Sequence, residues 1–225
     1  MIRVAIADSG VYASHPHVGG VAGGVWLDEA GAERGDYVDR LGHGTAVTAA
    51  IREKAPRAEL FAVKIFDRAL ATNIGTLVAA IRWSIRHGMD LLNLSLGTAK
   101  AAHEPALREA VADAVKAGVL IVAASHDEGV AWYPGCLPGV LGVEVDWHLP
   151  RDRYSVDAER SLCRASGYPR PIPGVPPERN LKGISFAVAN VTGFVADEFE
   201  RSSPVRDARQ VASSLRARLT LEQRA

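Results

Sequence analysis

Gly118-Val119-Leu120-Ile121-Val122-Ala123-Ala124 is the stretch that decides the architecture. A glycine stops a helical pattern over Glu104 to Ala117, and six almost wholly apolar residues follow. A run without polar alternation suits a strand covered on both faces. Moving back along the chain, Asp90 to Leu96 and Glu59 to Ile65 read as further strands. Gly75 to His87 reads as an amphipathic helix, and residues 44–54 as another. Arg3 to Ala7 reads as a buried strand that ends at Asp8-Ser9-Gly10. Val140 to Val145 is a candidate for one more strand. Apolar strands separated by helices predict an α/β fold of three layers, with a mostly parallel central sheet and helices on both faces.

The rest of the chain is less periodic. Residues 147–182 are rich in Pro and Arg and read as long loops with at most one short strand. Ser185 to Phe199 has a helical pattern with small residues early. A last helix is expected from Ser203 as N-cap and Pro204 in its first turn, occupying about residues 206–224. Its stripe of Val205, Ala208, Val211, Ala212, Leu215 and Leu219 is expected to pack on the body. Residues 1–225 are therefore read as a single domain.

Composition narrows the function classes. Lys plus Arg and Asp plus Glu number 26 each, which removes the electrostatic case for nucleic acid or an anionic membrane as main partner. A peptide substrate remains compatible with that balance. Cys136 and Cys163 form no CxxC pair, so structural zinc is not expected and two free thiols are. The opening residues Met1 to Asp8 do not read as a secretory signal. The longest apolar run is far short of the ~20 residues of a spanning helix. A cytoplasmic protein is the expectation.

Three segments carry chemistry. Asp8 follows a buried strand; His43 lies between Gly42 and Gly44 before a helix; Ser185 opens another helix in Gly183-Ile184-Ser185-Phe186-Ala187. In a parallel α/β sheet such points gather at the carboxyl edge of the strands, where ligands bind. A serine hydroxyl is a weak nucleophile, so a base must take its proton, and a buried carboxylate holds that base in the right tautomer. Each residue alone has an ordinary structural reading as turn residue or helix cap. The combination, in the order Asp, His, Ser, is the signal.

At these residues the sequence resembles the subtilisin-like serine peptidases. Ala7-Asp8-Ser9-Gly10-Val11 with Ser14-His15-Pro16 looks like the family's aspartate motif, and Gly42-His43-Gly44-Thr45 like its histidine motif. The segment around Ser185 looks like the serine motif, with Ile184 and Phe186 where Thr and Met are usual. Asn93-Leu94-Ser95-Leu96-Gly97 resembles the substrate-binding strand, and Tyr133-Pro134-Gly135 a turn with a cis proline. The resemblance runs from about residue 2 to residue 196. It implies that Ser185 attacks the peptide carbonyl, that His43 moves the proton and that Asp8 holds His43. It also implies that Ser95, Leu96 and Gly97 pair with an extended substrate. Residues 70–74, including Leu70, Ala71 and Thr72, would flank its other side. The Ser185 N–H would donate to the oxyanion.

The pattern breaks in three places. The family's second oxyanion donor is an Asn, where this chain has Asp127, or His126 if the match slides by one. An ionised Asp repels an oxyanion, and losing such a donor costs about 3–4 kcal/mol in the transition state. A weak or conditionally active site follows, with Asp127 protonated or His126 standing in. Trp132 stands where a small residue usually backs the pocket for the residue before the cleaved bond, so that pocket is expected to favour small side chains. Glu128 near its rim would instead favour basic ones. Ile51 to Pro56 cannot supply the six to eight oxygens of a calcium loop, so no metal is expected there, and no cofactor. A pro-region also has no counterpart here, which fits an enzyme made without a zymogen stage.

The function expected is a serine-type endopeptidase with restricted substrates, such as a precursor or leader peptide. The same residues would serve a ligase or macrocyclase that transfers the acyl group to an amine. A peptide-binding pseudoprotease or scaffold is the reading from another class. An activating partner protein is left open.

Overall fold

The structure, a computed structural model, describes residues 1–202 and 206–222. Its strands are β1 Arg3–Asp8, β2 Gly23–Leu27, β3 Glu33–Arg34, β4 Glu59–Lys64, β5 Leu91–Leu94 and β6 Leu120–Ala124. β7 His126–Asp127, β8 Val130–Ala131, β9 Val140–Val145, β10 Tyr154–Asp157 and β11 Leu162–Ala165 follow. The helices are α1 His43–Lys54, α2 Ile74–Arg86, α3 Glu104–Ala117, α4 Ile184–Arg201 and α5 Ala208–Glu222.

Nine strands form one sheet in the order β10-β11-β9-β6-β5-β1-β4-β2-β3. From β11 to β2 all neighbours run parallel; β10 and β3 are antiparallel edges. β1 lies in the interior, pairing Val4 with Leu60 on one side and Leu91 on the other. Its side chains alternate between two cores. Val4 and Ile6 pack with α1, α4 and α5, whereas Ala5 and Ala7 pack with α2 and α3. Both faces of the sheet are thus covered, as the apolar runs require. Fully burying a Leu or Ile in such a core stabilises the fold by about 1.5–3 kcal/mol.

Several elements differ from the sequence reading. β2 and β3 extend the sheet from a stretch with no strand signal, because Gly23 and Gly24 open it. Gly24 must be glycine-sized: a Cβ there would lie 2.6 Å from the Ala62 carbonyl oxygen of β4. Residues 147–182 supply two strands, with β10 buried through Tyr154, whose hydroxyl donates to Leu215 O at 3.2 Å. The described part of the last helix begins at Ala208, capped by Asp207, whose Oδ1 accepts from Gln210 N at 3.0 Å. Ser203, Pro204 and Val205 lie outside the described residues. Ala208, Val211, Ala212 and Leu215 are buried against the α4 layer. No helix among the described residues is long and apolar enough to cross a membrane.

Candidate active site

β1 delivers Asp8 to the carboxyl edge of the sheet, fully buried. Asp8 Oδ1 accepts from the Ser9 N–H and contacts His43 Nδ1, each at 2.7 Å. Asp8 Oδ2 is buried without a hydrogen-bond partner among the described residues. Gly44 is what lets α1 come this close. A Cβ there would sit 2.2 Å from the Gly10 carbonyl oxygen and 3.2 Å from Asp8 Oδ1. Burial works against charging the His43 ring, but the Asp8 hydrogen bond and the charges of Asp8 and Asp39 outweigh it and hold its pKa above the usual 6.5.

Asp39 was not legible as a site residue, yet it organises this corner. Its carboxylate accepts from Ser9 Oγ at 2.9 Å, from the Leu41 and Gly42 N–H groups at 2.9 Å each, and from Thr45 N and Oγ1 at 2.9 and 2.6 Å. Burial alone would raise its pKa, but the Thr45 and loop hydrogen bonds win and lower it. Ser9 Oγ in turn accepts from the Gly44 N–H at 2.9 Å. One carboxylate therefore ties the residue after Asp8 to the first turn of the helix that carries His43. The available signal was an Asp just ahead of a helical pattern, the signature of a cap. Beneath it, the fully buried Lys64 donates to Val38 O at 3.1 Å and pairs with Asp67 at 2.9 Å, fixing the backbone next to Asp39.

Ser185 lies in the first turn of α4, where backbone N–H groups have no carbonyl four residues earlier to bond. Its hydroxyl donates to Ser95 O at 3.0 Å, and Ser95 Oγ donates back to Ser185 O at 3.1 Å. Asn93 Nδ2 supports Ser95 Oγ at 2.8 Å, and Thr192 of α4 supports Asn93 at 2.9 Å. Phe186 lies fully buried against the His43 ring, centroids 5.5 Å apart. Asp8, His43 and Ser185 therefore come to one edge. The Ser185 hydroxyl is thus engaged with a backbone carbonyl in this structure.

The expected substrate strand and its partner also meet. Leu70, Ala71 and Thr72 face Leu96 and Gly97 across a pocket of about 200 Å³. Beyond Gly97, Thr98 and Tyr133 exchange two backbone hydrogen bonds of 2.9 Å, which brings Trp132 against the strand. A Cβ on Gly97 would lie 3.3 Å from Trp132 Cβ and 3.5 Å from its ring. The Trp132 indole Nε1 is buried and unpartnered among the described residues. The Tyr133–Pro134 bond is cis.

Residues 126–131 form a small hairpin. Glu128 and Gly129 at its tip have φ of 48° and 80°, the two positive values of a type I′ turn. Asp127 stands at the start of that turn, part-buried, and Glu128 is exposed. His126 Nδ1 is engaged with Ser125 Oγ at 2.9 Å and lies 3.7 Å from Glu144 of β9. That ring is turned to the sheet.

A sequence profile of the subtilase family matches residues 1–144, a span that holds Asp8 and His43 and stops before Ser185. Subtilisin NAT of Bacillus subtilis subsp. natto is 31% identical over 210 residues, 86% of this chain and 52% of that protein. The chain thus spans about half the length of this curated relative. Among solved structures, a cold adapted subtilisin-like serine proteinase superposes with a TM-score of 0.74 at 21% identity, over 96% of this chain and 81% of the other, a likeness of fold. The prenylagaramide maturation protease PagA superposes with a TM-score of 0.67 at 25% identity, over 94% of this chain and 80% of the other. On the profile match and the identity to its curated relative, the chain belongs to the subtilase family.

Proposed function

We propose that the chain is a serine endopeptidase that cleaves peptide bonds through Asp8, His43 and Ser185. The observation that carries the reading is the 2.7 Å contact between His43 Nδ1 and the buried Asp8, at the edge where Ser185 starts α4. Ser185 Oγ turns from Ser95 O to His43, gives up its proton and bonds the scissile carbonyl carbon. The imidazolium, held by Asp8, then protonates the departing amine. Water cleaves the acyl-enzyme by the same proton route in reverse. The Ser185 N–H donates to the oxyanion, and Asp127 is a poor second donor. An extended substrate lies between 95–97 and 70–72, with Trp132 closing the pocket beside Gly97 so that small side chains are preferred there. The maturation role in the name of PagA supports a precursor or leader peptide as substrate. The unpaired Cys136 and Cys163 support a reducing, cytoplasmic location.

A second reading is favoured by the Ser185 hydroxyl facing Ser95 O and by Asp127. In it the chain is a pseudoprotease that holds a peptide without cutting it. Fluorophosphonate labelling separates the two. Wild type should be labelled near neutral pH and Ser185→Ala should not; a folded wild type that stays unlabelled would overturn the peptidase reading. A peptide series varied at the residue before the cut should favour small side chains, and a preference for large aromatics would remove Trp132 from the specificity account.

A further inference from the structure

A second cavity, of about 630 Å³, opens on the other side of His43. Gly42 and Thr45, which bracket His43, form one wall, and Leu181, four residues before Ser185, forms another. It shares no lining residue with the pocket between 70–74 and 96–98. On the peptidase reading, on which this inference rests, the acyl half of a substrate lies along 95–97. The scissile bond sits at Ser185 and His43, so the leaving half runs toward this second cavity.

The cavity is apolar with a polar rim, to which Arg170 brings a positive charge and Asp39 a carboxylate. Tyr12, Ile172 and Leu181 supply its apolar walls, while His15, His17 and Arg170 supply nitrogen donors. Among the described residues, the Arg170 guanidinium reaches only the His17 carbonyl, at 3.4 Å, and no carboxylate lies within ion-pair distance of it. His15 Nδ1 accepts from the His17 N–H at 3.1 Å, which places the proton of a neutral His15 on Nε2 as a donor. Burial first, then the charges of Arg170 and His15, keep the His17 imidazole below its usual pKa, with Glu53 acting against them. Two carboxylates lie near the cluster, and Asp39 itself lines the cavity, but neither pairs with Arg170 among the described residues. Asp39 accepts the five hydrogen bonds described above, and Glu53 binds Arg151 at 2.5 Å and Lys54 at 3.1 Å. An arginine lining an apolar cavity, with no ion pair among the described residues, is a site for a carboxylate carried on an apolar stem.

We propose that this cavity is a specificity site for an acidic side chain, Asp or Glu, in the leaving half of the peptide substrate, with Arg170 as its principal ligand and His15 and His17 beside it.

The test uses binding rather than turnover, so its outcome is independent of whether Ser185 cuts. A synthetic peptide library with amidated C-termini, randomised at ten positions, is selected on the Ser185→Ala chain, and hits are measured one by one by calorimetry. Asp or Glu should bind about tenfold tighter than Asn or Gln at one position of the bound peptide. Arg170→Gln in the same background should reduce that ratio to below about twofold, and Arg170→Glu should turn the preference toward Lys. Melting temperatures certify the fold of each variant, and Arg170→Gln carries the test if Arg170→Glu does not fold. Equal binding of acids and amides, or an acid preference that survives Arg170→Gln, would overturn the proposal. So would a preference seen only with free C-termini, which would assign the cavity to a terminal carboxylate. Failure of fluorophosphonate labelling in the wild type would strike the peptidase reading and leave the binding result standing.

Discussion

The corner that carries His43 and the hairpin at 126–131 are built in opposite ways. The histidine corner is dense: Asp8, Ser9, Asp39, Thr45 and the first turn of α1 share a closed set of hydrogen bonds, with Lys64 buried beneath. The hairpin is a two-residue turn on two short strands, mostly exposed, whose Asp127 carries no comparable web. The difference teaches how a substitution would act in each. In the first, side chains are held from several directions and a single change propagates. In the second, a side chain acts for itself, and its identity alone sets the effect.

The largest way to break the contrast is Asp127→Asn. On the peptidase reading the exchange supplies a neutral donor to the oxyanion and should speed single-turnover acylation by about 100-fold. A much slower variant would show that Asp127 is more than a poor donor. Next comes Asp39→Ala, which removes a helix cap and the tie to Ser9 together. A loss of about 2–3 kcal/mol in denaturant unfolding is expected. A loss below about 0.5 kcal/mol would mean that the corner does not depend on this carboxylate.

The smallest effect is read in pH. His43 is held above 6.5 in the folded chain, so its protonated form stabilises the fold. That contribution is complete below pH 6.5 and is lost as pH rises through the higher folded value. On the peptidase reading, proton abstraction needs the neutral ring, so kcat/KM should climb with a midpoint above 6.5. Asp39→Asn removes one of the charges that raise His43 and should move that midpoint down. An unmoved midpoint would reduce Asp39 to a purely mechanical part.

The same contrast explains what was legible in the sequence. β1, β4 and β6 announced themselves because burial on both faces leaves their central residues apolar, and α3 matched from Glu104 to Ala117. β2 escaped because its entry is two glycines chosen for closeness to β4, a tertiary demand with no local period. β10 and β11 escaped because short strands with mixed polarity resemble loop. Asp8, His43 and Ser185 stood out through their flanking glycines and helix starts. Asp39 did not, since a capping Asp looks alike wherever a helix begins. The cavity at Arg170 was invisible for another reason. Its walls come from 12–17, 39–49 and 169–181, and no short window of sequence contains them.

The position of β1 inside the sheet has a consequence for the order in which the molecule can be made. Its neighbours are β4 and β5, whose residues 59 and 91 lie far downstream of the strand they flank. A chain emerging from the ribosome must hold its first strand unpaired until those segments arrive, and contacts so distant in sequence form slowly. Ser185 comes later still, after the whole parallel sheet has been synthesised. On the peptidase reading, the helix that carries Ser185 is thus the last part of the site to be synthesised, after the segments that carry Asp8, His43 and Ser95.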